Sequence, residues 1–252
     1  MPASEGDHRL RKSIASLLDS GRFADAKIEC DGQTFHVHKS VICTQSEYFS
    51  RAFDEKNGFK EANTSTIQLQ EIEASTVRAI IEFMYHGDYK TTAEDNDLLL
   101  SIDVYAAAEM YQVGGLKEAA TRHFKEVAPS MFDIPTFPDA IHAIYQSTME
   151  EDRGLRDILV DTAVPQIHDL VKATKFNNTL VQNGEFGKDL VHAMNMKFED
   201  DVLVTITCPG LGYPGCLGQE NVKGALLRSG KPLLCNYCGN AAPYSRWFRV
   251  NH

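Results

Sequence analysis

The sequence has little of what marks several large function classes. Its 252 residues hold one tryptophan, Trp247, and six cysteines. No apolar run approaches the roughly 20 residues a helix needs to cross a bilayer. The opening MPASEGDHRLRKSIASLL lacks the uninterrupted apolar segment of a secretory signal. A cytoplasmic or nuclear protein is therefore expected, with its thiols kept reduced. The chain contains no Walker loop, no G-x-S-x-G and no H-E-x-x-H. The glycine-rich GLGYPG at 210–215 does not lie between a strand and a helix, so it is not read as a phosphate loop. Acidic residues are plentiful but fall in runs such as Glu150-Glu151-Asp152, which read as solvated surface. Without a convergent catalytic set, an enzyme is not expected. A net charge of −10 argues against the whole chain binding nucleic acid.

The hydrophobic content is 43%, enough for one large or two small domains with real cores. Composition shifts near residue 201. From 202 onward there are five basic residues (Lys223, Arg228, Lys231, Arg246, Arg249) and one acid, Glu220. The same stretch holds Trp247 and the cysteines at 208, 216, 235 and 238. No internal repeat or low-complexity segment is present.

Residues 23–49 read FADAKIECDGQTFHVHKSVICTQSEYF. In the first alternating run, Ala26, Ile28 and Cys30 share a face opposite Lys27 and Glu29. In the second, Phe35 and Val37 share a face opposite His36 and His38. Asp31-Gly32 between them suits a tight hairpin, because both residues tolerate positive φ. A polar His-Lys-Ser step then leads into an apolar helix. Further on, Thr66 to Leu69 reads as a short strand. Val77, Ile80, Ile81, Met84 and Tyr85 line one face of a helix that Gly87 closes. Two more helices, Leu98 to Tyr111 and Leu116 to Val127, flank Gly114-Gly115.

The pattern of Asp25, Ile28, Gly32, Phe35, His38, Lys39, Ser46, Tyr48 and Phe49, with the later IIEFMYHGDY, resembles the BTB/POZ domain over about residues 10 to 128. The resemblance implies an α+β fold, a helical cluster flanked by a short three-stranded sheet, and a protein-interaction module. It divides the chain into an N-terminal helical segment (1–22), the BTB/POZ domain (23–128), a helical extension (129–200) and a Cys-rich tail (201–252). The extension follows a break at Pro129, Pro135 and Pro138. Its short apolar stripes (Ala140, Ile141, Ile144, Tyr145; Leu155, Ile158, Leu159; Phe186, Leu190, Val191, Met194) read as core faces. They resemble the extension of fungal BTB proteins.

The same resemblance supplies expectations for partners. BTB domains that bind cullin scaffolds of ubiquitin ligases carry a hydrophobic-x-Glu step, which Phe59-Lys60-Glu61 fits. Phe59 would insert in a partner pocket with Glu61 orienting it, or would pack back on its own domain. Asp25 and Lys39 are expected near each other at the dimer-side pocket, as an intramolecular pair or as recognition residues. Ile14, Leu17 and Leu18 form the apolar face of the N-terminal helix that BTB homodimers use. His38 is expected to satisfy local backbone groups, and Cys30 and Cys43 to pack in the core. The leading reading is an adaptor that brings a target to a cullin-type ligase. A dimeric scaffold or transcription-linked regulator is the alternative, and nucleic-acid binding by the basic tail is a weaker third.

The tail carries a second motif. Cys235-x2-Cys238 can turn two thiolates toward one tetrahedral Zn²⁺, and Gly239 favours the tight turn. Cys208 and Cys216 complete a four-thiolate structural set, although their x7 spacing is longer than the usual x2 to x4. His252 is a substitute ligand. Val202 to Thr207 and Trp247 to Val250 are expected strands of a small zinc-ribbon-like unit. Buried free thiols and a thioredoxin-like redox pair are the alternatives. A redox pair should sit where a strand enters a helix, which Cys235 and Cys238 do not.

Overall fold

The structure is a computed structural model. It describes residues 5–91, 97–133, 136–201, 203–209, 216, 218–229, 231–239, 241–243, 245 and 247–249. Val202, the loop 210–215, Val250 and His252 lie outside these, as does the Leu10 side chain. The chain divides into two compact units, residues 1–186 and 187–252.

The first unit opens with α1 (Glu5–Ser20), followed by the hairpin β1 (Ala26–Cys30) and β2 (Gln33–Val37). Asp31 and Gly32 at its turn have φ of 48° and 71°, which matches the twist of the flanking strands. β1 alternates as read, with Ala26, Ile28 and Cys30 buried and Lys27 exposed. Helices α2 (Lys39–Gln45), α3 (Glu47–Phe53) and α4 (Lys60–Thr64) carry the chain to β3 (Thr66–Gln68). β3 pairs parallel to β1, with Ile28 opposite both Phe35 and Ile67. The sheet order is β2-β1-β3.

Three longer helices follow, α5 (Ala74–His86), α6 (Asp97–Met110) and α7 (Leu116–Val127), with α6 packed against both α5 and α7. The α5 stripe predicted from spacing is buried, and Gly87 ends the helix with φ of 78°. Ser46 joins the elements: its hydroxyl accepts from the Phe49 N–H at the start of α3 and donates to the Tyr111 carbonyl at 2.6 Å. Phe49 stacks on Tyr111 beneath it. Gly115 turns α6 into α7 at φ of 79°.

Alternation set His38 on the face opposite Phe35 and Val37, but the strand ends at Val37 and His38 is the buried N-cap residue of α2. Once the backbone leaves the extended state, the period of two no longer applies.

The extension consists of α8 (Phe137–Ser147), α9 (Gly154–Ala163), α10 (Ile167–Leu170) and α11 (Thr174–Gln182), and then α12 (Gly184–Asp201), most of whose residues belong to the second unit. Its core holds Ile141, Ile144, Leu155, Leu159, Phe176 and Phe186. Arg156 is buried with them, a placement its residue type gave no sign of. Its guanidinium donates to the Thr148 hydroxyl and carbonyl and to Glu185, so the buried charge is fully engaged.

The second unit contains β4 (Leu203–Thr207), β5 (Gln219–Lys223), the short α13 (Gly224–Arg228), β6 (Leu233–Leu234), β7 (Ala241–Ala242) and β8 (Phe248–Arg249). β5-β4-β8 form an antiparallel sheet, and β6 pairs with β7. The core is small: Ile206, Leu233, Ala242 and Trp247 surround Cys208 and Cys235. The Trp247 indole donates to the Ala242 carbonyl.

Candidate interaction surface and four-cysteine centre

Phe59 is 51% exposed and begins α4, where its side chain is held off the core. Glu61 follows one residue into the helix. Together with Tyr48 and Arg51 of α3, Ile67 of β3 and Met110 of α6 they line a cavity of about 360 Å³. Tyr48 stands edge-on to Phe49 and Tyr111, which fixes its ring against the core while one edge stays exposed. Burial and then the Glu61 charge push its hydroxyl pKa up. Met110 is 67% exposed and was not singled out from the sequence. It belongs to this face only because α6 returns to it.

Asp25 and Lys39 are neighbours, but they do not form an ion pair. An Asp25 carboxylate oxygen accepts the Lys39 backbone N–H at 2.8 Å, and the Lys39 ammonium donates to the Ser65 hydroxyl and lies over the Phe53 ring. His38 beside them is held on both ring nitrogens, by the Tyr85 hydroxyl at 2.7 Å and the Arg22 carbonyl at 2.7 Å. A carbonyl only accepts, so Nε2 carries the proton and Nδ1 accepts from Tyr85. The Tyr85 oxygen also accepts the His38 N–H. Burial, partly offset by that N–H, pushes the Tyr85 hydroxyl up to about 12. Ile14, Leu17 and Leu18 are half-buried on α1, which packs against α5.

Asp152 corrects the reading of the acidic run at 150–152 as solvated surface. It is not solvated surface: it accepts from the Tyr105 hydroxyl, from Lys117 at 2.9 Å and from the Gly154 N–H. Partial burial works to raise its pKa, but the Tyr105 and Lys117 contacts outweigh it and hold the carboxyl below the usual range. Gly154 is needed here, since a Cβ would lie 2.2 Å from the Tyr105 oxygen.

In the second unit the four cysteine sulfurs lie within 4.8 Å of one another and can hold a metal ion. Cys208 and Cys238 are 3.7 Å apart, and Cys216 and Cys235 are 3.9 Å apart. The x7 spacing is explained by the sheet. Thr207 pairs with Gln219, and the Cys208 N–H continues the ladder to the Gly218 carbonyl at 2.9 Å. Cys208 and Cys216 thus sit near the two ends of a hairpin connection that the ladder closes. Burial tends to raise the Cys235 thiol, but backbone N–H groups of Cys238 and Tyr237 and the neighbouring thiols bring it down to about 7. N–H groups aimed at sulfur favour thiolate, the ligand form.

No helix among the described residues is long and apolar enough to cross a membrane. The BTB/POZ family model matches residues 14–128. Human Kelch repeat and BTB domain-containing protein 4 is 31% identical over 115 residues, 45% of this chain and 20% of that protein. Mouse Kelch-like protein 26 is 34% identical over 104 residues, 41% of this chain and 16% of that protein. The chain thus matches about a fifth or less of the length of these relatives. The BTB domain of human gigaxonin, a solved structure, is 24% identical with a TM-score of 0.36, covering 48% of this chain and 95% of that one. Residues 14–128, with their hairpin, the parallel strand β3 and the helices α5 to α7, are a BTB/POZ domain, a protein-interaction module.

Proposed function

We propose that this protein is an adaptor whose BTB/POZ module docks a cullin-type ubiquitin-ligase scaffold while the rest of the chain recruits a target. The observation that carries the reading is Phe59, half exposed beside Glu61 at the mouth of a cavity shared with Tyr48 and Met110. An aromatic anchor with a charged neighbour is the usual composition of an interface hot spot. The reading is of a binding protein rather than an enzyme, working in the cytoplasm or nucleus. Co-purification of a cullin from cell extract tests it. Phe59→Ala with Glu61→Ala should weaken capture at least about tenfold, the scale of a lost hot spot. Equal capture by wild type and the double variant overturns the assignment.

Homodimerisation through Ile14, Leu17 and Leu18 belongs to the same reading, because these side chains remain partly open on α1. The placement of Asp25 and Lys39 at a dimer-side pocket, which the BTB resemblance implies, belongs to the same proposal. Leu17→Asp should shift the mass measured by light scattering from dimer to monomer.

The four-cysteine centre is proposed to hold structural Zn²⁺. Zn–S bonds of about 2.3 Å in a tetrahedron place sulfurs about 3.8 Å apart. The 3.7 and 3.9 Å separations support that geometry. Four thiolates close the coordination sphere, so the ion would stabilise the tail rather than catalyse a reaction.

A further inference from the structure

In the turn that carries Cys235 and Cys238, the backbone N–H groups of residues 236–239 each have a partner. The N–H groups of Tyr237 and Cys238 point at the Cys235 sulfur. The Gly239 N–H bonds the Cys235 carbonyl at 2.8 Å, with Gly239 at φ of 71°. One donor remains, the N–H of Asn236, and it reaches a Glu220 carboxylate oxygen at 2.9 Å. The other oxygen of Glu220 accepts from the Asn236 side-chain amide at 2.8 Å. The bond pattern therefore closes only with Glu220.

Glu220 is the single acid from residue 202 to the end of the chain. An acid near four thiolates adds to a charge that already repels itself, an unfavourable choice unless its oxygens have specific work. Both do. Glu220 stands opposite Ile206 in the ladder, two residues before Cys208 in the facing strand. Gly218, at the start of the same strand, presses on the turn from a second point: a Cβ there would lie 2.4 Å from the Tyr237 ring. Its carbonyl holds the Cys208 N–H, and its own N–H is aimed at the Cys216 sulfur. Residues 218–220 thus touch every segment that bears a ligand.

We propose that Glu220 is the positioning residue of the four-cysteine centre, clamping the 235–238 turn to β5 so that Cys235 and Cys238 meet Cys208 and Cys216. The inference rests on the zinc reading. Metal affinity is then tied to the β4–β5 pairing, because the strand that closes one ligand pair also orients the other. Partners of this kind, one shell out from the ion, typically set affinity by 10–100-fold.

The test uses the full chain and zinc itself, titrated against a competing chelator. Glu220→Ala should weaken zinc binding about 10–100-fold. Glu220→Gln should recover most of the loss, because its amide oxygen still accepts the Asn236 N–H. Asn236→Ala should lose less than Glu220→Ala, because the backbone bond survives. Cobalt substitution gives a readout that general destabilisation does not move: at saturating metal, the thiolate-to-cobalt absorption should shift in Glu220→Ala and return in Glu220→Gln. Wild-type affinity and spectrum in Glu220→Ala, or a Gln variant as impaired as Ala, overturn the role of Glu220 alone. A wild-type chain without stoichiometric zinc overturns the metal reading itself.

Discussion

Asp25 holds the main chain of Lys39, not its charge: the carboxylate accepts the first N–H of α2 at 2.8 Å while the ammonium reaches Ser65. His38, the N-cap residue, makes no side-chain cap, so Asp25, fourteen positions before Lys39 in the chain, fills that role. A negative group at a helix N-terminus also meets the positive end of its dipole. Asp25→Ala should cost about 1 kcal/mol in urea unfolding, the usual scale of a lost cap. Lys39→Met leaves the capping bond in place. A double-mutant cycle should therefore give a coupling near zero, whereas an ion pair would give a measurable one.

Tyr85 ties His38 into the core by two hydrogen bonds to one hydroxyl oxygen. Tyr85→Phe strands the His38 N–H and one ring nitrogen where water does not reach. The expected loss is about 1–3 kcal/mol by chemical denaturation. Because the variant keeps the ring, a loss of this size isolates the hydrogen bonds from packing.

The Asp152 network gives a signed pH dependence. Its carboxyl pKa is lowered in the folded state, so its stabilisation is present above the unfolded value near 3.9 and disappears as pH falls through the folded value. Asp152→Asn should be less stable than wild type at neutral pH, and the gap should close below about pH 4. Thermal melts across that range read the difference. Gly154→Ala should be destabilised by about 1–3 kcal/mol at every pH, because the Tyr105 ring must move aside.

Removal of the proposed zinc should act on one unit only. The core of residues 203–249 is small and two of the cysteines are part of it. Without the ion, the tail should lose protection from limited proteolysis, while fragments covering 1–186 persist with an unchanged melting transition. Simultaneous loss of both units on chelation would contradict this.

Much of the module could be read from residues close together in the chain. The Asp31-Gly32 turn, the α5 stripe ending at Gly87 and the helices around Gly114-Gly115 are local patterns, and local sterics decide them. Arg156, Asp152 and Met110 gave no such signal. An arginine between apolar positions, an acid in an acidic run and a methionine ending a helix all read as surface, because their partners come from distant parts of the chain. Tyr105 and Lys117 meet Asp152 only after α6, α7 and the α8–α9 connection have packed.

The four cysteines show the same division. Their identity and the Cys235-x2-Cys238 turn were legible, since a two-residue spacing is itself a geometric constraint. That Cys208 and Cys216 can join them across seven residues was decided by the β4–β5 ladder. That Glu220 supplies the turn's last partner depended on strand register. The sequence by itself determined the BTB/POZ scaffold and the presence of a thiol set, because turns, periods and side-chain chemistry are properties of neighbouring residues. The tertiary structure alone decided which groups converge, because burial and hydrogen-bond partners are set by long-range packing.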